Sequence, residues 1–119
     1  ATVGSLNKVQ HATEMGANKV LIHYDNNWLD EVRDITKNRG VDIVFEHVGK
    51  VTWDNSLRAL ANGGRIVTCG ATTGQDVNIN LAHLFIKQHS ILGSTMSSIS
   101  TFKEVMDKIQ RKHSQLLVQ

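Results

Sequence analysis

Ser5 and Lys8 stand one helical turn apart, where a short apolar run gives way to a helical pattern. A hydroxyl, an ammonium group and the free amides of a helix start, whose dipole favours negative charge, together suit a phosphate group. The alternative for the same pair is a helix cap followed by a solvated lysine. A second group consists of Gly4, Gly49, Gly70 and Gly93, each at or just past the end of an apolar run. Without a β-carbon, glycine lets a ligand approach the backbone, although each of these also suits an ordinary turn. Val48, Ala71 and the pair Ser94-Thr95 adjoin these glycines and share their position.

Other chemistries find less support. A dinucleotide cradle needs a Gly-x-Gly-x-x-Gly turn between strand and helix, and no Gly-x-Gly occurs here; nor is there a P-loop pattern. The histidines (His11, His23, His47, His83, His89, His113) and the single Cys69 form no metal-ligand spacing, so zinc is not expected on this chain. Glu46 and His47 are strand neighbours and point to opposite faces, which rules them out as an acid/base pair. Cys69 reads as a small core residue rather than a nucleophile. No catalytic residue is assigned.

Those residues need elements to hold them. Ser5 is placed to cap a helix with Leu6, Val9, Ala12 and Met15 on one face and Gly16 at its end. A short strand at Val20-Leu21-Ile22 follows, ending near Tyr24. Asn27 is placed to cap a second helix with Leu29, Val32 and Ile35 inward. A β-branched run from Val41 to Val48 predicts a strand closed by Gly49. A third helix runs from Thr52 to Ala61 and stops at Gly63-Gly64, before a strand from Arg65 to Cys69. Leu81, Leu84 and Phe85 suggest a short helix before a strand at Ser90 to Ser94. Ser100 is placed to cap a last helix carrying Phe102, Val105, Met106 and Ile109. Short strands alternating with helices predict an α/β fold, a doubly wound parallel sheet with helices on both faces.

Composition agrees with a single domain over residues 1–119. Hydrophobic residues make up 40% and charged residues 20% of the chain, as in an ordinary globular protein. The net charge of +2 and the scattered basic residues argue against nucleic acid as a partner. No apolar run reaches spanning length, so no membrane is expected. One cysteine fits a reducing, cytoplasmic setting. Ala1-Thr2-Val3 reads as a strand tail and Leu116-Leu117-Val118 as an apolar stop, the look of a piece of something larger.

The runs ATVGSLNK at 1–8, MGANKVLIHY at 15–24, VDIVFEHVG at 41–49, LANGGRIVTCGATTG at 60–74 and ILGST at 91–95 resemble, in order, medium-chain dehydrogenases and reductases. The zinc-type alcohol dehydrogenase and quinone oxidoreductase branches are most similar. The resemblance implies the later part of a Rossmann nucleotide-binding domain, lacking its first strand and Gly-rich turn. It places Thr2, Gly4 and Ser5 by the adenosine ribose, with Ser5, Lys8 and Tyr24 around a 2′-phosphate. Val48 and Gly49 would line the adenine side; Gly70, Ala71, Gly93, Ser94 and Thr95 would approach the nicotinamide. Because no acidic residue stands at Val3, Gly4 or Ser5 to bind ribose hydroxyls, NADP is expected over NAD.

In such enzymes the first strand is central to the sheet. Its loss is expected to leave two halves with exposed edges that invite pairing with another copy, and the last strand, Ser90 to Ser94, pairs across a dimer in several members. The implied function is a partial cofactor-binding domain of an NAD(P)(H)-dependent oxidoreductase, with hydride transfer in the intact enzyme and none expected from this chain alone. The alternative is a non-catalytic α/β scaffold used for dimerisation or partner binding.

Overall fold

The computed structural model describes residues 1–25 and 27–111; the apolar run at 116–118 and His113 lie outside the described residues. In chain order come β1 (Thr2–Val3), a 3-10 turn (Leu6–Lys8), α1 (Val9–Glu14), β2 (Leu21–Ile22), α2 (Trp28–Ile35) and β3 (Val41–Glu46). There follow α3 (Trp53–Ala59), β4 (Leu60–Thr68), α4 (Leu81–Ile86), β5 (Ser90–Gly93) and α5 (Ile99–Arg111). All pairings are parallel, as the strand–helix alternation predicts.

The strands form two sheets. Among the described residues β1 pairs only with β2, and β3-β4-β5 form the other sheet. Between β1 and β3 lies a cleft of about 480 Å³, with Leu21, Trp28, Val32, Val41 and Val44 among its apolar lining. No strand hydrogen bond crosses it. This is the division expected when a central strand is absent, and α2 spans it: Trp28 and Leu29 are buried with Ala59 and pack on Leu21 of β2 and Val41 of β3.

The main core belongs to the larger sheet. Trp53 and Leu57, one turn apart on α3, pack with Leu60 and Ile66, and Val41, Val44, Val77 and Ile91 close around them. Register explains the selection. Val44, Ile66 and Ile91 stand side by side across the three strands and face α3. Phe45, Val67 and Leu92 form the next row and point the other way, where Phe45 is 67% exposed. Helices on both faces were the sequence expectation; among the described residues the second face of this sheet is open. Ile35, expected inward, is exposed and lines the cleft instead, and Phe85, Phe102 and Val105 on the later helices are exposed as well.

Several boundaries also shift. Ser5 and Asn27 make no side-chain cap bond, and the first turn of the opening helix is 3-10. Ser98, not Ser100, serves the last helix: its Oγ accepts the Thr101 N–H at 3.2 Å. β3 ends at Glu46 rather than Val48 because that carboxylate pulls the next amides into a turn. β4 begins at Leu60, not Arg65, because Leu60 already pairs with Val41 and thereby ends α3 at Ala59.

These rows make opposite demands on stability. Ile66, 0% exposed, is expected to cost about 2–5 kcal/mol as Ile66→Ala, whereas Phe45→Ala on the open face should cost within about 0.5 kcal/mol. Urea unfolding of both variants checks this, and a Phe45→Ala loss as large as that of Ile66→Ala would show the open face to be covered in solution.

Candidate functional site

The expected site residues gather at the carboxyl ends of the strands in three clusters. Beyond β1 and β2 lie Gly4, Ser5, Lys8 and Tyr24, with Thr2 exposed on β1 itself. A β-carbon on Gly4 would stand 3.3 Å from Tyr24 Cε2 and 3.5 Å from His23 Nε2. The absence of a side chain therefore lets these two rings, edge to face at 4.5 Å, lie against the strand end. Ser5 Oγ donates to Asn7 Oδ1 at 2.5 Å, and the Lys8 N–H closes the turn on the Ser5 carbonyl at 3.1 Å. Among the described residues no hydrogen bond joins the side chains of Ser5, Lys8 and Tyr24, so they share an edge without forming a closed network. Burial lowers the His23 pKa; the nearby charge of Glu46 opposes this, while His47 and Lys8 reinforce it.

The second cluster is the turn after β3. Glu46 is 4% exposed, and its Oε1 accepts the N–H groups of Val48 at 2.7 Å and Gly49 at 3.1 Å. The Thr52 hydroxyl shares its proton between the two carboxylate oxygens, 3.0 Å from each, and Ser56 Oγ donates to Oε2 at 2.5 Å. Burial alone would raise this carboxyl, but the bonds from Ser56, Gly49, Val48 and Thr52 outweigh it and hold the group below its ordinary value of 4.5. Gly49 adopts φ +90°, and a β-carbon there would stand 2.6 Å from the Gly74 carbonyl oxygen and 2.8 Å from Ala71 Cα. Val48 and Gly49 thus lie directly against the loop that carries Gly70 and Ala71.

The third cluster follows β4 and β5. The Thr68 hydroxyl donates to the Gly70 carbonyl at 3.3 Å, and the Ser94 N–H donates to the Thr68 carbonyl at 2.9 Å. Gly93 meets no atom within 4 Å of the place where a β-carbon would be; Ser94 and Thr95 are exposed beside it. Cys69, expected in the core, is exposed just past the end of β4.

Glu46 is the residue that reading the sequence for function missed. Its signal was present: an acid ending a strand, a glycine three residues on, and hydroxyls six and ten residues on at helical spacing. No three His, Cys, Asp or Glu side chains among the described residues gather to hold a metal ion. His83 and His89 meet edge to face at 5.4 Å, but His89 Nε2 is engaged with the Ala61 carbonyl at 3.1 Å. No chemistry is assigned through a metal. No helix among the described residues is long and apolar enough to cross a membrane.

Comparison with known proteins gives one consistent answer. A family model described as zinc-binding dehydrogenase matches residues 1–111. A quinone oxidoreductase of Salmonella typhimurium is 30% identical over 115 residues, which are 97% of this chain and 35% of that protein. Among solved structures, an NAD-dependent alcohol dehydrogenase is 35% identical with a TM-score of 0.88, over 98% of this chain and 34% of that one. The quinone oxidoreductase of Escherichia coli, solved in complex with NADPH, is 26% identical with a TM-score of 0.78, over 99% of this chain and 39% of that one. The chain spans about a third of the length of these relatives.

The depressed Glu46 pKa has a definite sign in stability. The carboxylate contributes in full above the unfolded value of 4.5 and its contribution is lost as pH falls through the lower folded value. Glu46→Gln should therefore unfold at lower urea than the parent at pH 7, with the gap narrowing below about pH 4.5. Urea midpoints from pH 7 to pH 3 check this; a gap that stays constant would mean the carboxylate charge does not stabilise the turn.

Proposed function

This chain belongs to the zinc-binding dehydrogenase family, and we propose that it forms walls of an NADP(H) site in an oxidoreductase of the quinone reductase or alcohol dehydrogenase type. Residues 1–119 then act as one partial Rossmann-like unit, in a cytoplasmic setting. The observation that carries the reading is the match of nearly the whole chain to an NADPH-bound quinone oxidoreductase, taken with the charge at the β1 edge. No acid stands at Val3, Gly4 or Ser5 to accept ribose hydroxyls, and Lys8 supplies a cation there. The Lys8 ammonium would pair with a 2′-phosphate, with the Ser5 hydroxyl and Tyr24 phenol as further partners. Thr2 and Gly4 would border the ribose.

The remaining residues line the rest of the dinucleotide. Val48 and Gly49 give a wall on the adenine side. Gly70, Ala71, Gly93, Ser94 and Thr95 present backbone and small polar groups toward the nicotinamide, whose chemistry when bound is hydride transfer. The protein's share is binding and orientation. The substrate and the groups that handle it belong to the two thirds of the relatives' length outside this match, and no catalytic residue is proposed. Self-association is part of the proposal: a second copy would pair along the free edge of β5, the strand that carries the exposed Leu92. No specific observation favours the scaffold reading.

Calorimetric titration of the chain with NADPH and with NADH checks the cofactor. NADPH is expected to bind more tightly, and Lys8→Ala to weaken NADPH by about tenfold, the loss of one charge-assisted hydrogen bond, while leaving NADH unchanged. No heat with either cofactor, from a chain whose circular dichroism shows it folded, would sink this reading and leave the scaffold.

A further inference from the structure

We infer that Glu46 is a positioning residue that joins the two walls on the larger sheet, the turn at 47–51 and the loop at 70–74, into one rigid body. The functional meaning of this rests on the cofactor-site reading above; its structural content does not. Glu46 has an unusual set of partners for a buried carboxylate. Buried acids are normally paired with a cation, yet among the described residues every hydrogen bond to the Glu46 carboxylate comes from a neutral donor: two backbone amides and two hydroxyls. Among the described residues, oriented dipoles rather than a bonded cation balance its charge. An ionised carboxylate accepts on both oxygens and donates nothing, so it can gather several converging donors at one point.

The gathered donors are themselves tied on their far side. The N–H of Val48 belongs to the peptide unit whose carbonyl is that of His47, and that carbonyl accepts the Thr72 N–H at 3.4 Å. The N–H of Gly49 shares its unit with the Val48 carbonyl, which accepts the Thr73 N–H at 2.8 Å and Thr73 Oγ1 at 2.7 Å. Two successive peptide planes are therefore pinned at both ends, to Glu46 inward and to the β4 loop outward. A peptide unit is planar and turns as a whole, so freeing its N–H also loosens its carbonyl. Two return bonds tighten the link: the Lys50 N–H donates to the Gly74 carbonyl at 3.0 Å, and the Val51 N–H to Thr73 Oγ1 at 3.1 Å. The close approach of Gly49 to Ala71 and Gly74 leaves no slack between the two segments. In this way a side chain that faces the core governs backbone that faces the cofactor edge.

Hydrogen exchange on the unliganded full chain, read amide by amide, tests the coupling. Glu46→Gln, which keeps shape but removes charge, is expected to speed exchange at Val48 and Gly49 and also at Lys50, Val51 and Thr73 by about tenfold, while Ile66 and Leu92 stay protected. Thr73→Val, which does not touch Glu46, is expected to speed exchange at Val48 and Gly49. Release confined to Val48 and Gly49 in Glu46→Gln, or no release there in Thr73→Val, overturns the inference. A uniform rise that includes Ile66 and Leu92 overturns it as well, since Glu46 would then serve only global folding. In a parallel NADPH titration, Glu46→Gln should weaken binding roughly threefold to tenfold, and unchanged affinity overturns the positioning role. Absence of NADPH binding by the parent chain refutes the cofactor reading instead, and the exchange result still decides the coupling.

Discussion

The relation between the two sheets depends on side-chain packing through α2. No strand hydrogen bond joins β1-β2 to β3-β4-β5, so their placement rests on Trp28 and Leu29 wedged among Leu21, Val41 and Ala59. Packing of this kind is non-directional and resists sliding only through close fit. A hydrogen-bonded ladder, by contrast, sets register at every residue. The edge carrying Lys8 and Tyr24 is thus fixed relative to the edge carrying Val48 and Gly49 by a few apolar contacts. A dinucleotide bridging both edges would depend on that fit as much as on any group that touches it.

Within the larger sheet the means are different. The row Val44, Ile66, Ile91 under Trp53 and Leu57 places β3, β4 and β5 as a unit, but apolar packing stops where the strands end. Beyond β3 the chain must turn with its amides buried, and buried amides need acceptors. Glu46 supplies them, and the Thr72 and Thr73 bonds supply the complementary donors. The turn is ordered by polar contacts because it stands at the rim, past the end of the apolar row. Gly49 has the same origin: a β-carbon there would strike Gly74 and Ala71.

How far this was legible from residue order follows from the range of each interaction. The alternation of elements, the β-branched run at 41–46 and the glycines at strand ends are local patterns, and the structure has them in the expected order. The orientation of Glu46 against His47 was legible only in part, since β3 stops at Glu46 and strand alternation does not reach His47. Which of the two faces inward was not, because that depends on where α3 packs. The start of β4 at Leu60 is a pairing with Val41, nineteen positions away, and a window over Leu60-Ala61 sees only good helix formers. Ser98 and Ser100 are equivalent as sequence; only the backbone makes Ser98 the acceptor for Thr101. The identity of the family came from many weak matches in one order, which no single motif carried.

The open faces give the last constraint. A parallel sheet is ordinarily covered on both sides, whereas here Phe45 and Leu92 lie bare on one side, and Phe85 of α4 and Phe102 and Val105 of α5 are exposed. These residues are apolar in a pattern, at strand alternation and at helical spacing, so they belong to faces suited to burial rather than to scattered surface apolar residues. The cleft between β1 and β3 has the same character, with apolar walls and unpaired strand edges on both sides. Whatever fills the cleft would meet Trp28 and Val32 of α2 and so brace the joint on which the two edges of the proposed site depend. Completion of the sheet and formation of the cofactor site are therefore one physical problem: the packing that satisfies the first sets the spacing required by the second.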